Sequence, residues 1–292
     1  MAEAPSVAGL LDDASARLSA ALGLEKREAR LEARVLAAFA WDVTPAWLIA
    51  HDTDPLTGAQ ITQFTTLLAR RLSGEPIAYL TGVREFYGRS FQVSPDVLIP
   101  RPDTELLVEL ALARIPPDQA MDILDLGTGS GSIAITLALE RPLAQVTAVE
   151  RSKAALAIAQ LNSKILNARV DFLNSDWFAV FMPPGVLAQR RFDLIVSNPP
   201  YIPAADPHLA RGDVRFEPLS ALAAGCDGLE DLRQLAAAAG AHLKPGGTLL
   251  LEHGYDQADA VQALLQAAGF CHVQSWPDLS GIRRVSGGEL SE

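Results

Sequence analysis

The stretch MDILDLGTGSGSIAI, residues 121–135, decides the architecture. A short apolar run ends in Gly127-Thr128-Gly129-Ser130-Gly131 and passes directly into a second apolar run with helical character. Glycines at such a junction let the backbone turn sharply from a strand into a helix N-terminus and approach a ligand closely. Taken alone, the loop fits either a tight structural turn or a nucleotide-binding turn. The dinucleotide fingerprint asks for glycine at the first, third and sixth positions, and the sixth here is Ser132. That weakens a pyrophosphate reading and leaves a nucleoside one open.

Downstream, the pattern alternates. ILDL, QVTAVE, ARVDFLN, FDLIVSN and GTLLLEH are short apolar strands, with helical stretches such as SIAITLALE and SKAALAIAQLNSKIL between most of them. Alternation of this kind implies a mostly parallel sheet covered by helices on both faces. CHVQSW and GIRRVSG add two strands joined by a short loop, consistent with an antiparallel edge. Upstream, residues 83–99 (VREFYGRSFQVSPDVLI) carry strand formers including Phe86, Phe91, Val93, Val97, Leu98 and Ile99, with Gly88 for a turn, so a hairpin connector is expected. VAGLLDDASARLSAAL, REARLEARVLAAFA and TGAQITQFTTLLARRL carry apolar residues at helical spacing and predict a small helical bundle. Asp54-Pro55 suits the start of the third helix. The expected domains are an N-terminal helical bundle over 1–82, a hairpin linker over 83–100 and an α/β domain over 101–292.

Composition narrows the function classes. The chain has 292 residues, 49% hydrophobic and 20% charged, as an ordinary globular protein does. A net charge of −11 argues against nucleic-acid binding through a broad basic surface. Cys226 and Cys271 are read as small core residues in a reducing compartment. His51, His208, His242, His253 and His272 show no metal-ligand spacing, and no metal centre is expected. The N-terminal stretch lacks a basic region followed by an apolar one, and no apolar run nears the ~20 residues a membrane span requires. A cytoplasmic protein is expected, with no membrane association.

The strand ends carry the chemistry. Glu150 closes the strand after the glycine loop, where such folds place an acid for the hydroxyls of a ribose. NSDWF sets Asp176 and Trp177 at the next strand end, where Trp177 could pack an adenine face and Asp176 could mark its amino edge. An adenosine compound with no pyrophosphate demand follows, and S-adenosylmethionine is the commonest of these. SNPPY then places Asn198, Pro199, Pro200 and Tyr201 after the fourth strand, at the crevice where ligands bind in such sheets. Two prolines make a stiff corner whose carbonyls no helix engages. The Asn198 side-chain carbonyl and the Pro199 backbone carbonyl can together receive both hydrogens of a planar –NH2, with Tyr201 covering the flat face. A conjugated amino group is a poor nucleophile. Two fixed acceptors aim its nitrogen at a sulfonium methyl and stabilise the positive charge that grows there.

A glycine-rich loop combined with NPPY resembles the amino-methyltransferases. GEPIAYLTG (74–82), REFYG (84–88), VLIPRPDTELLVE (97–109), DLGTGSG (125–131), SNPPYIP (197–203) and EPLSALAAGCDGL (217–229) narrow the resemblance to the protein-(glutamine) methyltransferases of bacterial peptide-chain release factors, the PrmC/HemK family. It covers nearly the whole chain from about residue 70. The resemblance implies a Rossmann-like class I methyltransferase domain preceded by a small helical domain and a hairpin linker. It also implies that Gly127, Thr128, Gly129, Ser130 and Gly131 meet the methionine part of S-adenosylmethionine, that Glu150 binds the ribose and that Trp177 lies at the adenine. Asn198, Pro199, Pro200 and Tyr201 would hold the glutamine of the release factor's Gly-Gly-Gln motif. Asp103 stands where the family commonly has Glu, and Glu150 where it often has Asp; either keeps a carboxylate. The expected partner is a release factor, met by a monomer that touches no nucleic acid directly. Glutamine methylation of a ribosomal protein and adenine methylation of nucleic acid are the competing enzymatic readings. A binding scaffold without activity would fit a degraded loop or corner, and both are intact.

Overall fold

The computed structural model describes residues 4–291. The chain forms two compact units. One runs to Val83 and includes Ala210–Phe216; the other comprises Arg84–Leu209 and Glu217 onward.

The first unit is helical: α1 (Val7–Leu22), α2 (Lys26–Trp41), α3 (Pro45–Ala50), α4 (Gly58–Leu72) and α5 (Ile77–Thr81). Its core gathers Leu18, Leu36, Phe64 and Leu68, all fully or nearly fully buried. Helix α3 is an element to which the sequence reading assigns no helix. Its start is encoded by Thr44, whose hydroxyl accepts from Trp47 N–H at 3.2 Å, followed by Pro45 at the first helical turn. Helix α4 begins later than Asp54-Pro55 suggests. Thr57 and Gln60 form a reciprocal capping box, with Gln60 N–H to Thr57 Oγ1 at 3.3 Å and Thr57 N–H to Gln60 Oε1 at 3.0 Å. Pro55 instead makes an isolated bridge with Ser6. Arg71 is the buried polar centre of the unit. It donates to Glu32 at 2.8 and 3.0 Å, to Asp213 at 3.0 Å, and to the carbonyls of Gly74 and Glu75 at 3.2 and 3.1 Å.

The hairpin of β1 (Val83–Phe86) and β2 (Arg89–Gln92) turns through Tyr87 and Gly88, both left-handed, at φ 50° and 71°. That matches the two-residue turn whose twist suits a hairpin. Val97, Leu98 and Ile99, read as strand formers, lie in no strand. Val97 and Ile99 are buried instead as anchors of an irregular segment. Residues 84–100 belong to the second unit.

The second unit carries α6 (Glu105–Leu112), β3 (Asp122–Leu126), α7 (Ser132–Glu140), β4 (Gln145–Glu150), α8 (Lys153–Leu166), β5 (Val170–Asn174), β6 (Phe192–Ser197), α9 (Glu230–Ala239), β7 (Leu243–Glu252), α10 (Ala258–Ala267), β8 (Phe270–Pro277) and β9 (Arg283–Leu290). Seven strands run in the order β5-β4-β3-β6-β7-β9-β8. The pairings from β5 to β7 are parallel, and β9 pairs antiparallel with both β7 and β8. The antiparallel edge is present as expected, with a refinement: the reversed strand is β9, one position in, and β8 forms the rim. One face of the sheet packs on α6 and α7 through Leu107, Val108, Ile133 and Ile135; the other packs on α9 and α10 through Leu232, Leu235, Val261 and Leu265. The central strands β3, β4, β6 and the second half of β7 are buried on both faces, which is why they read as continuous apolar runs rather than alternating ones.

The β5–β6 connection contains no α-helix. A short 3-10 turn, Ala179–Phe181, places Phe181 edge-on against Phe192 at 5.3 Å, so its first half is core. The cysteines depart from expectation: Cys226 is exposed and Cys271 only half-buried. A break in the β8–β9 register after Cys271, with His272 at φ 50°, gathers Cys271 Sγ, His272 Nδ1 and Glu289 Oε2 within 4.8 Å of one another, although single-sequence spacing hides this cluster. Among the described residues, no helix is long and apolar enough to cross a membrane.

Candidate active site

All the parallel strands end at one rim, and the central crevice between β3 and its neighbours opens there. A cleft of about 890 Å³, including its open mouth, is lined by Gly127, Thr128, Gly129, Ser130, Glu150, Asp176, Trp177, Asn198 and Pro200. Sequence positions separated by some seventy residues thus meet because parallel topology brings every strand's carboxyl end to the same side.

The glycine loop is pinned mainly to the end of β4. Gly127 and Thr128 N–H donate to Val149 O at 2.9 and 3.0 Å, Gly129 N–H to Glu150 Oε2 at 3.0 Å, and Gly131 N–H to Thr128 O at 2.8 Å. A loop that spends its N–H groups this way makes a poor phosphate cradle, in keeping with Ser132 at the sixth position. Gly131 caps α7 at φ 84°. A side chain there would press on Ile135 Cδ1 at 2.8 Å and on Ala159 at 3.2 Å, so the glycine permits close helix packing. At Gly129, φ is 55° and an added Cβ would meet nothing within 4 Å: this part of the backbone borders open space. Beneath the loop, Asp125 accepts from Thr128 Oγ1 at 2.6 Å. Burial pushes its carboxyl up to about 7 against that hydrogen bond.

Glu150 ends β4 with both oxygens engaged, Oε2 by Gly129 and Oε1 by Ser152 N–H at 2.8 Å. Each carboxylate oxygen keeps a further lone pair, so a pre-oriented acceptor for paired hydroxyls stands at the cleft wall. Trp177 plays two parts. It belongs to the core and also lines the cleft, with its ring edge 3.1 Å from where a Gly127 side chain would sit. Its indole N–H is taken by Asp231, and its backbone is left-handed at φ 42°. Asp176 is beside it at the cleft.

The proline corner divides. Asn198 and Pro200 line the cleft, and Pro199 and Tyr201 are not among its lining residues. Asn198 Nδ2 donates to Thr104 Oγ1 at 3.1 Å, which turns the amide's NH2 toward Thr104 and leaves Oδ1 as a free acceptor. Tyr201, whose ring is expected to cover a flat substrate, keeps part of its surface open. It is largely buried against the core, its hydroxyl meets Glu252, and its carbonyl accepts from Gln257 Nε2 at 3.0 Å. Burial, with the charge of Glu252 next, raises the phenol well above its ordinary range. Tyr201 therefore anchors the corner from behind.

Three residues that sequence reasoning passed over build the rest. Glu217 is buried and accepts from Ile99 N–H at 3.0 Å and from Arg101, locking the two cleft-lining segments around 97–101 and 217–221 together. Thr104 sits at the end of a 3-10 turn, Pro102–Thr104, ahead of α6. Glu252 ends β7, beside the end of β6, where Ser197 pairs with Leu251. The strand-end rule that found Glu150 applies equally to Glu252.

The chain matches two family profiles, "PrmC N-terminal domain" over residues 9–82 and "Methyltransferase small domain" over 103–210. A release factor glutamine methyltransferase from Bordetella pertussis is 54% identical over 261 residues, spanning 89% of this chain and 95% of that protein. Those of Neisseria gonorrhoeae and Escherichia coli are each 48% identical, over 92% and 82% of this chain and 96% and 84% of theirs. Among solved structures, a methyltransferase from Pyrococcus furiosus superposes with a TM-score of 0.51 at 18% identity, covering 78% of this chain and all of that one. The Thermus thermophilus 16S rRNA N2 G1207 methyltransferase gives 0.52 at 24%, over 71% of this chain and 49% of its own. Both share the fold.

Proposed function

The chain belongs to the release factor glutamine methyltransferase family, and from that membership we propose how its own residues carry out the reaction. It is an S-adenosylmethionine-dependent methyltransferase that modifies the side-chain amide nitrogen of glutamine in peptide-chain release factors. The bound cofactor supplies a methyl group on a sulfonium. The cleft fits it: there is open space at Gly129, an acceptor pair on Glu150, an aromatic wall at Trp177 and no phosphate nest. Gly127 to Gly131 border the methionine part, Glu150 takes the ribose hydroxyls, and Asp176 and Trp177 frame the adenine.

One observation carries the catalytic reading. The Asn198–Thr104 hydrogen bond fixes the amide so that Oδ1 is the free acceptor at the cleft. Asn198 Oδ1 and the Pro199 carbonyl receive the two hydrogens of the glutamine –NH2. They hold the nitrogen in line and oppose the charge it acquires. Tyr201 holds the corner rigid through Glu252 and Gln257 and does not touch the substrate ring-on. Asn198 and Pro199 are thus the catalytic pair, and Pro200 shapes the substrate channel. The protein acts as a monomer in the cytoplasm and reads its partner without direct nucleic-acid contact, a reading supported by the net charge of −11.

The test is labelled-methyl transfer by the purified protein, with unmodified release factor, ribosomal protein and DNA offered together. Label is expected on the release factor; preferential labelling of either competitor overturns the reading. Separately, Trp177→Ala weakens cofactor binding by roughly tenfold or more, the size of a lost stacking contact. Calorimetry on the free enzyme measures it, and an unchanged affinity returns Trp177 to a purely core role.

A further inference from the structure

Asparagine's amide is nearly symmetric in shape, so its two ends can exchange places at little steric cost. Only one orientation serves the reaction. With Oδ1 toward the cleft, the substrate –NH2 finds an acceptor; with Nδ2 there, two donors face each other. The partner of Asn198 at its other end is a hydroxyl, and a hydroxyl can either donate or accept. Something must decide which.

Thr104 Oγ1 has a second neighbour. Glu252, 2% exposed, lies against both the Thr104 and the Tyr201 hydroxyls. An ionised carboxylate only accepts, so it draws the Thr104 proton to itself and leaves a lone pair for Asn198 Nδ2. The direction of the whole chain, Asn198 to Thr104 to Glu252, is then set at its far end. Topology makes this possible: Ser197 pairs with Leu251, so the residues that follow, Asn198 and Glu252, leave adjacent strands at the same level. Resting on the functional reading above, we propose that Thr104 and Glu252 are positioning residues that orient the Asn198 amide for glutamine and take no part in binding the methyl donor.

The surroundings of Glu252 sharpen the test. Burial raises its carboxyl to about 7, opposed by the Thr104 hydrogen bond; Asp103 adds to the rise, while Arg284 and the Tyr201 hydroxyl counter it. Oε2 has no hydrogen-bond partner. Below that range the carboxyl is protonated and can itself donate to Thr104, so the chain loses its fixed direction. Turnover should therefore climb as pH rises through about 7.

Steady-state kinetics on release factor decide the matter, with S-adenosylmethionine affinity measured by calorimetry on each protein. Thr104→Val keeps the shape and removes the hydroxyl. It should lower kcat on the order of tenfold to a hundredfold, leave cofactor affinity within about twofold, and change KM for the release factor little. Thr104→Ser restores most of the loss. Glu252→Gln, which can both donate and accept, lowers kcat less and removes its rise near neutral pH. Near-normal kcat in Thr104→Val overturns the proposal, as does an unaltered pH profile in Glu252→Gln. Should Thr104→Val fail to fold, the Thr104→Ser and Glu252→Gln profiles decide alone. If the wild type itself moves no methyl to glutamine, the functional reading has failed first, and that outcome is distinct.

Discussion

Asn198→Ala lowers the turnover of methyl transfer by about two to three orders of magnitude, the loss typical of removing one pre-oriented hydrogen-bonding group aimed at developing charge. The deletion takes away Oδ1, one of two acceptors for the glutamine –NH2, and leaves Pro199's carbonyl alone. The nitrogen is then free to rotate out of line, and its growing positive charge meets one dipole where there were two. The glycine loop and Glu150 are bonded to each other and to the Val149 carbonyl, independently of Asn198. Cofactor affinity should accordingly stay within about threefold. Single-turnover rates and equilibrium binding, measured on the same preparation, separate the two quantities. A variant with near-normal turnover would remove Asn198 from the chemistry.

Arg71→Met has the largest effect on stability, a loss of roughly 3 kcal/mol. The guanidinium is 5% exposed and holds Glu32, itself 15% exposed, through two bonds. Removing it leaves a carboxylate without its counter-ion and the Gly74 and Glu75 carbonyls without their donor. It also frees Asp213, which tethers the Ala210–Phe216 segment to the helical unit. Urea unfolding followed through Trp41 and Trp47 reads the first effect. Faster tryptic cleavage at Arg211 and Arg215 reads the second. A shift below about 1 kcal/mol would mean that the ion pair is no better than a surface one.

The comparison of sequence with structure separates what is local from what is not. Strand, glycine loop and helix follow one another within fifteen residues, so their geometry was written in one window, and Glu150 followed from the same unit. Asn198 was legible for a similar reason: prolines restrict the chain wherever they stand. The anchoring of Tyr201 was not, because its carbonyl is held by Gln257 and its hydroxyl faces Glu252, which reach it through tertiary packing alone. Thr104 and Glu252 are nearly one hundred and fifty positions apart and meet only because α6, which follows Thr104, packs across β6 and β7. The place of β9 between β7 and β8 is likewise a choice between edges that no local pattern records. Helix α3 is different: Thr44-Pro45 carried its start signal, and the apolar run behind it is too short to show a helical period.

The central claim is that a stiff corner at the sheet's rim offers two oxygens to a planar amide nitrogen. Fragmentation mass spectrometry of release factor, after incubation with the protein and S-adenosylmethionine, tests it most directly. The account predicts a single added methyl on the side-chain nitrogen of the Gly-Gly-Gln glutamine, and none when that glutamine is replaced by glutamate. A methyl on another residue, or equal labelling of the glutamate variant, would contradict it.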